Sequence, residues 1–408
     1  MDRPDTIIIG AGSSGAVIAS RISEDPNLNV LLLEAGPDYP NIIETPFDLV
    51  NSHNNSYTRH DWGFNYTPTS GREVKFPRGR VIGGSSAVNT TIALRGVPED
   101  YEEWAELGCP EWRWQNVLPA FNRLERDLDY GHMPYHGDAG PISIRRYPEA
   151  ELEPLQHAFL ATSAQLGYPE CQDANDPQSW GAGPHPMNKL GRLRISTAVG
   201  YLAPARIRPN LNIRANTLVL RILFSGRRAT GVEIENADGS IEILRTRLVV
   251  LCAGAVNSPH ILMHSGIGHI NQLGGLGIPS VGEEPGVGQN LSDHPAISVV
   301  CRPRDSSIID HDRPIIQTIL RYTAEGSTKR NDLQIEQLSF AGSNGGPPLF
   351  AIAAVLEYQY GRGELRLRSA DPHDAPIIDN RFCEDDRDTS RLVSCLRDTM
   401  AFTQNSEL

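Results

Sequence analysis

Six residues near the N-terminus, Gly10-Ala11-Gly12-Ser13-Ser14-Gly15, limit what the chain can fold into more than any other stretch. They follow Thr6-Ile7-Ile8-Ile9, an unbroken β-branched run that predicts a strand buried on both faces. Ala16 to Ser23 then carries small and apolar residues at helical spacing, and Asn29 to Leu33 reads as a second parallel strand ending on Glu34. Strand, glycine turn, helix, strand and acid, in that order within about 30 residues, is the setting in which this glycine pattern predicts dinucleotide binding.

Each position has a physical task. Gly10 makes the tight turn, Gly12 lets the backbone approach a pyrophosphate, and Gly15 lets helix and strand pack closely. Free N–H groups and the dipole at the helix N-terminus favour the phosphates. Glu34 can accept hydrogen bonds from ribose hydroxyls, and its charge disfavours a 2′-phosphate. A glycine turn of purely structural use is the plainer alternative, and the ordered surroundings argue against it.

Bulk properties narrow the partners. A length of 408 residues predicts two or three domains. A formal charge of −13 argues against a nucleic-acid partner, because a phosphate backbone rewards clustered Lys and Arg. No apolar stretch is long enough to span a bilayer and no signal segment precedes the first strand, so no membrane partner and a cytoplasmic location are expected. The six cysteines are scattered without a CxxC pair, which suits a reducing compartment rather than a disulfide framework. No metal site is expected.

A second glycine-rich segment runs from Pro77 to Asn89 (PRGRVIGGSSAVN) and has no amphipathic period. Its glycines and serines suit a backbone bent around a ligand, although alone it reads equally well as a helix start. Gly79 to Glu102 resembles the first signature of the glucose–methanol–choline oxidoreductase family, which is FAD-dependent. Gly254-Ala255-Val256-Asn257-Ser258-Pro259, running on to Ser265-Gly266-Ile267-Gly268, resembles its second signature, and Pro285 to Pro295 (PGVGQNLSDHP) a third landmark. Arg95 to Trp104 and Tyr135 to Ile142 look closest to its bacterial oxidases of aromatic primary alcohols.

The resemblance implies non-covalent FAD. It places Gly10, Gly12, Ser13, Ser14, Gly15, Glu34, Ala35, Arg80, Gly83, Gly84, Ser86, Asn89, Thr90, Val219 and Ala253 at the cofactor. Arg80 through Asn89 would wrap the pyrophosphate and flavin, Asn89 and Thr90 would lie near the isoalloxazine ring, and the main chain at Val219 would meet adenine. Relatives that tether FAD do so through a histidine in this loop; that position is Val88 here, which has no nucleophile.

The fold class expected is α/β: a Rossmann-like FAD-binding domain with a second α+β substrate domain built on an antiparallel sheet. Leu211 to Phe224 and Gly231 to Glu235 alternate like strands of a meander, and Arg247 to Gly254 reads as a strand returning to the parallel sheet. Residues 1–145 and 206–298 are assigned to the FAD domain, 146–205 and 299–408 to the substrate domain. Ile352 to Tyr360 and Gly363 to Ser369 suggest strands. Glu384 to Thr403 predicts a helix with Leu392, Val393, Leu396, Met400 and Phe402 on its buried face.

The family's reaction is oxidation of a primary alcohol to an aldehyde, with hydride passing to flavin N5. A base must take the hydroxyl proton, and histidine is suited to that near neutral pH. The resemblance puts the base, a histidine partnered by a second histidine or an asparagine, in a segment after the helix at 384–403. It is therefore expected beyond Leu408, the chain being read as part of a longer product. His136, His260, His264 and His294 are expected to be structural, which leaves the catalytic residues unassigned. The substrate implied is a small aromatic or heteroaromatic alcohol, with oxygen or another acceptor reoxidising the flavin. Two alternatives stay open: a non-redox lyase acting on hydroxynitriles, and an inactive FAD-binding form.

Overall fold

A computed structural model of the chain describes residues 3–68, 71–342 and 344–405. Met1, Asp2 and Ser406–Leu408, at the outer ends of the expected domains, lie outside the described residues. Strand β1 (Thr6–Ile9) is buried along its whole length, and the turn after it delivers the chain into helix α1 (Ser13–Ile22) and strand β2 (Val30–Leu33). β2 pairs parallel with β1, Ile9 opposite Leu33, so Gly10 and Glu34 emerge together from the same edge of the sheet. Helix α2 (Pro154–Gln165) and strand β3 (Gly181–Pro184) then leave for a second layer.

The chain returns through β4 (Leu211–Arg214), makes an antiparallel meander of β5 (Leu218–Ser225), β6 (Arg228–Glu235) and β7 (Ile241–Arg245), and re-enters the parallel sheet as β8 (Leu248–Leu251). The parallel sheet has the order β4-β2-β1-β8. Leu211–Arg214 is therefore not part of the meander, as its alternation suggested. It pairs with Val30–Leu33, and Leu211 and Ile213 fill the α1 side of the sheet. Ile8, Val30 and Leu32 face Ala16 and Ala19 of α1, while Ile7, Ile9, Leu31 and Leu33 face Val219, Ile222, Val232 and Ile234 of the meander. Cover on both faces explains why these strands read as continuous apolar runs. Helix α3 (Gly254–His264) follows β8 at once.

The rest of the chain contributes β9 (Gln289–Leu291), β10 (Ala296–Cys301), β11 (Thr318–Tyr322), β12 (Leu333–Ala341), β13 (Leu349–Leu356), β14 (Gly363–Arg366), β15 (Ile377–Asp379) and helix α4 (Asp386–Thr403). Five strands form an antiparallel sheet in the order β10-β13-β12-β11-β3. One face of it, carrying Leu320, Leu333, Ile335, Ile352 and Leu356, packs with Phe159 of α2 and Leu392, Cys395 and Phe402 of α4. The smaller sheet β9-β14-β15 lies beside α3, where Leu365 and Ile378 meet Val256 and Met263.

The buried stripe of α4 differs from the expected one. It is Asp388, Arg391, Leu392, Cys395, Thr399 and Phe402, whereas Val393 and Met400 are exposed at 39% and 48%. Steps of three and four residues from Leu392 reach Cys395, Thr399 and Phe402, and leave 393 and 400 on the far side. Arg391 is tolerated inside because it meets Asp332 at 2.8 Å and Asp388 at 2.7 Å. Phe402 stacks on Phe159 with centroids 5.0 Å apart, joining the two helices behind the sheet. Truncating Phe402→Ala is expected to cost about 3–5 kcal/mol. Chemical denaturation checks this, with a lowered midpoint and a flavin content unchanged under native conditions.

Candidate functional site

The edge where β1, β2 and β8 end opens onto a cavity of about 460 Å³. Gly10, Gly12, Ser13, Ser14, Glu34, Ala35, Arg80, Gly84, Val219 and Ala253 line it; Gly15, Gly83, Ser86, Asn89 and Thr90 do not. Residues nearly 250 positions apart in sequence meet here because the parallel register stops the strands level.

The glycines divide into two kinds. A Cβ on Gly10, whose φ is 92°, would sit 2.5 Å from the carbonyl oxygen of Cys252, and one on Gly15 would sit 1.9 Å from that of Gly10. Both are demanded by the protein's own packing. Gly12 is different: its φ of −76° and ψ of −159° suit any residue. A Cβ there would meet nothing nearer than the Gly84 Cα at 3.7 Å. Only something placed in the cavity would make glycine necessary at position 12.

The charge around that space suits an anion. Helices α1 and α3 both begin at the cavity, neither has a side-chain cap, and neither has an acidic residue in its first turn. Their free N–H groups and dipoles point positive charge at the same space. Arg80 adds a guanidinium at the rim, where it is exposed and lies 4.8 Å over the Trp62 ring.

Glu34 is buried, and each of its oxygens already braces the turn. Oε2 accepts from the Ala11 N–H and Oε1 from the Gly36 N–H, both at 2.9 Å. Burial pushes its pKa up to about 7, against the pull of those N–H groups and of Arg80. The carboxylate retains lone pairs for hydroxyl donors on the cavity side. Beyond it, Thr217 donates its N–H to the Glu34 carbonyl at 2.9 Å, and a bulge between Val219 and Arg221 leaves Leu220 out of the β5–β6 ladder. Such a bulge frees main-chain groups beside the cavity.

Residues off the cavity wall hold the loop that shapes it. Gly83 donates its N–H to the Ala11 carbonyl at 2.8 Å, bringing the second glycine segment onto the first. The Ser86 hydroxyl donates to the Gly83 carbonyl at 2.7 Å and accepts from the Thr197 N–H at 3.0 Å. Asn89 Oδ1 accepts from the Thr91 N–H at 3.1 Å. Val88 is 2% exposed in a cluster with Leu49, Val81 and Ala87. Just past Thr90, Thr91 has φ 65°, no exposure, and a hydroxyl without a partner. A β-branched residue there costs of the order of 1–3 kcal/mol, and strain of this kind gathers at ligand sites.

Part of the wall lies outside the expected cofactor residues. His260, Asn257, Trp62, Phe64 and the run Pro372–Pro376 also line the cavity. The proline-bounded turn signal of Asp371 to Pro376 could have marked a loop, but nothing local marks which surface it covers. His260 and His264 bring their Nε2 atoms to 3.2 Å, and burial, helped by His264, drives the His260 pKa down to about 4. His294 is exposed, with Nδ1 3.5 Å from Glu357, and His136 is buried in a cluster of charges far along the chain from the glycine loops.

Among the described residues no helix is long and apolar enough to cross a membrane. A family model described as GMC oxidoreductase matches residues 4–296. A GMC-type oxidoreductase of Rhodococcus erythropolis is 36% identical over 387 residues, covering 92% of this chain and 75% of that protein. The 5-(hydroxymethyl)furfural oxidase of a Methylovorus species is 35% identical, with 96% and 76% covered. An oxygen-dependent choline dehydrogenase of Chromohalobacter salexigens is also 35% identical, with 97% and 76% covered. Among solved structures, pyridoxine 4-oxidase from Mesorbium loti superposes with a TM-score of 0.90 at 27% identity, over 100% of this chain and 81% of that one.

Proposed function

The chain belongs to the GMC oxidoreductase family, and from that membership we propose that it holds FAD non-covalently and oxidises a primary aromatic or heteroaromatic alcohol to the aldehyde. The observation that carries the cofactor assignment is the open space at Gly12 between two uncapped helix N-termini. In this reading residues 1–145 and 206–298 form the cofactor-binding part, and 146–205 with 299–408 the substrate part.

The chain's own residues divide the work. The N–H groups of Ser13 and Ser14, with Arg80 and Gly84, hold the pyrophosphate. Glu34 accepts ribose hydroxyls while it braces Ala11 and Gly36, and Ala35 and Ala253 leave room beside them. Val219 offers main-chain atoms to adenine. Gly83, Ser86, Asn89 and Thr90 would fix the loop that shapes the flavin's side of the site. The chemistry the bound cofactor supplies is acceptance of a hydride at flavin N5. His260 and His264 bond to each other, His136 bonds to carboxylates, and His294 lies beside Glu357, so none of these four is assigned as the base.

Anaerobic mixing of the flavin-loaded protein with benzylic or pyridoxine-type alcohols tests the reaction. Bleaching of the flavin with one aldehyde formed per flavin supports it, and a flavin that stays oxidised with all of them in a full-length version that carries the expected base contradicts it. Because Val88 is a buried aliphatic residue, acid precipitation is expected to release all the flavin into the supernatant as intact FAD. Yellow colour remaining in the washed pellet would contradict non-covalent binding.

A further inference from the structure

The loop joining β14 to β15 is built as a stiff unit. Asp371 Oδ1 accepts from the His373 N–H and pairs with His373 Nδ1, both at 2.9 Å, and the Ser369 hydroxyl donates to Asp374 at 2.6 Å. One contact ties this unit to the cofactor-binding part: His373 Nε2 meets Glu235 Oε2 at 2.7 Å. It fixes where the loop sits. Glu235 pairs across the β5–β6 ladder with Leu218, the residue before Val219, and both Leu218 and Val219 line the cavity. The loop is thus moored beside the adenine end, not over the glycine turn. Its residues Pro372 to Pro376 line the same cavity. Hydrogen bonds to Asp371 and Glu235 raise the His373 pKa, so the two carboxylates favour the charged ring at this mooring.

We propose that Ser369–Pro376 is a clasp on the adenosine half of the cofactor, moored by the His373–Glu235 pair, with His373 and Glu235 as positioning residues for that half. The ligand class it selects is a flavin or nucleotide carrying an adenosine phosphate; flavins that end at the ribityl phosphate gain nothing from it. The proposal rests on the reading that this cavity holds FAD.

The test compares FAD, ADP and FMN, each titrated into the apo chain and followed by fluorescence or calorimetry, for the unsubstituted chain, His373→Ala, Glu235→Gln and the double variant. FMN keeps the ring and one phosphate but lacks adenosine. Each single variant is expected to weaken FAD and ADP by about tenfold, the scale of one charge-assisted hydrogen bond. FMN affinity and the apo-protein unfolding midpoint are expected to stay unchanged, and the double variant to be no worse than either single one. Undiminished FAD and ADP affinity in the variants overturns the clasp, and so does an equal weakening of FMN. An unsubstituted chain that binds neither FAD nor ADP overturns instead the cofactor reading beneath it.

Discussion

Replacing Gly12 with alanine is expected to abolish flavin retention while leaving the chain folded. The backbone at Gly12 is in an ordinary extended region, with φ −76° and ψ −159°, and the added methyl group would meet only the Gly84 Cα, at 3.7 Å. Neither strain nor a clash opposes the substitution in the empty protein. With FAD present, the methyl group stands where the pyrophosphate must approach the α1 N-terminus. Losing two charge-assisted N–H···O contacts, each worth about 1.5–3 kcal/mol, weakens binding by about 100-fold or more. Circular dichroism and the apo unfolding midpoint should match those of the unsubstituted chain while the purified variant comes out colourless. Gly15→Ala is the contrasting case. Its methyl group would lie 1.9 Å from the Gly10 carbonyl oxygen, so that variant should lose the fold and the flavin together. If Gly12→Ala instead behaves like Gly15→Ala, glycine at position 12 serves the protein and not the ligand.

The second large effect lies away from the cavity. Glu125, Asp127 and Asp173 are buried with Arg95, Arg146 and His136. Arg146 meets Asp127 at 2.7 Å and Asp173 at 2.5 Å, Arg95 meets Glu125 at 2.6 Å, and His136 joins Glu125 at 2.6 Å and Asp173 at 2.8 Å. Three carboxylates so close might suggest a cation site, but two guanidinium groups and an imidazolium already balance them. Arg146→Met keeps part of the unbranched stem and removes the charge, leaving His136 alone to bridge Asp127 and Asp173. The expected loss is about 3–5 kcal/mol, read as a lower denaturation midpoint. A midpoint within error of the original would show that the carboxylates are neutral or hydrated there.

The same cluster gives a signed pH dependence. Burial alone would lower the His136 pKa, but its bonds to Asp173 and Glu125 outweigh that and raise it to about 9. A folded-state value above the unfolded one of about 6.5 means that the stabilisation is complete below about pH 6.5. It is lost as pH rises through about 9. Unfolding midpoints measured from pH 6 to 10 should decline over that window, and His136→Gln should flatten the decline. A profile that His136→Gln leaves unchanged contradicts a protonated His136.

Local physics made one half of the site legible in the sequence and left the other half silent. β1, the Gly10–Gly15 turn, α1 and β2 follow one another within a short stretch, so spacing alone specifies them. Their strands, covered on both faces, reveal themselves as unbroken apolar runs. β4 misled because four alternating residues look alike whether they pair with a neighbour in sequence or with Val30–Leu33, far back along the chain. In α4, apolar character suggested Val393 and Met400 as core, while the true stripe includes Asp388 and Arg391, whose ion pairs form only in the fold. The wall made by His260 and Pro372–Pro376 was silent for a similar reason. The loop is held by Glu235, which lies on a different sheet from it.

Calorimetric titration of the apo chain with FAD measures the identity of the cavity's ligand. The expected result is one FAD per chain, displaced by ADP, and no detectable heat of binding with the folded Gly12→Ala variant at the same concentrations. No binding by the unsubstituted chain, or equal binding by Gly12→Ala, would contradict it.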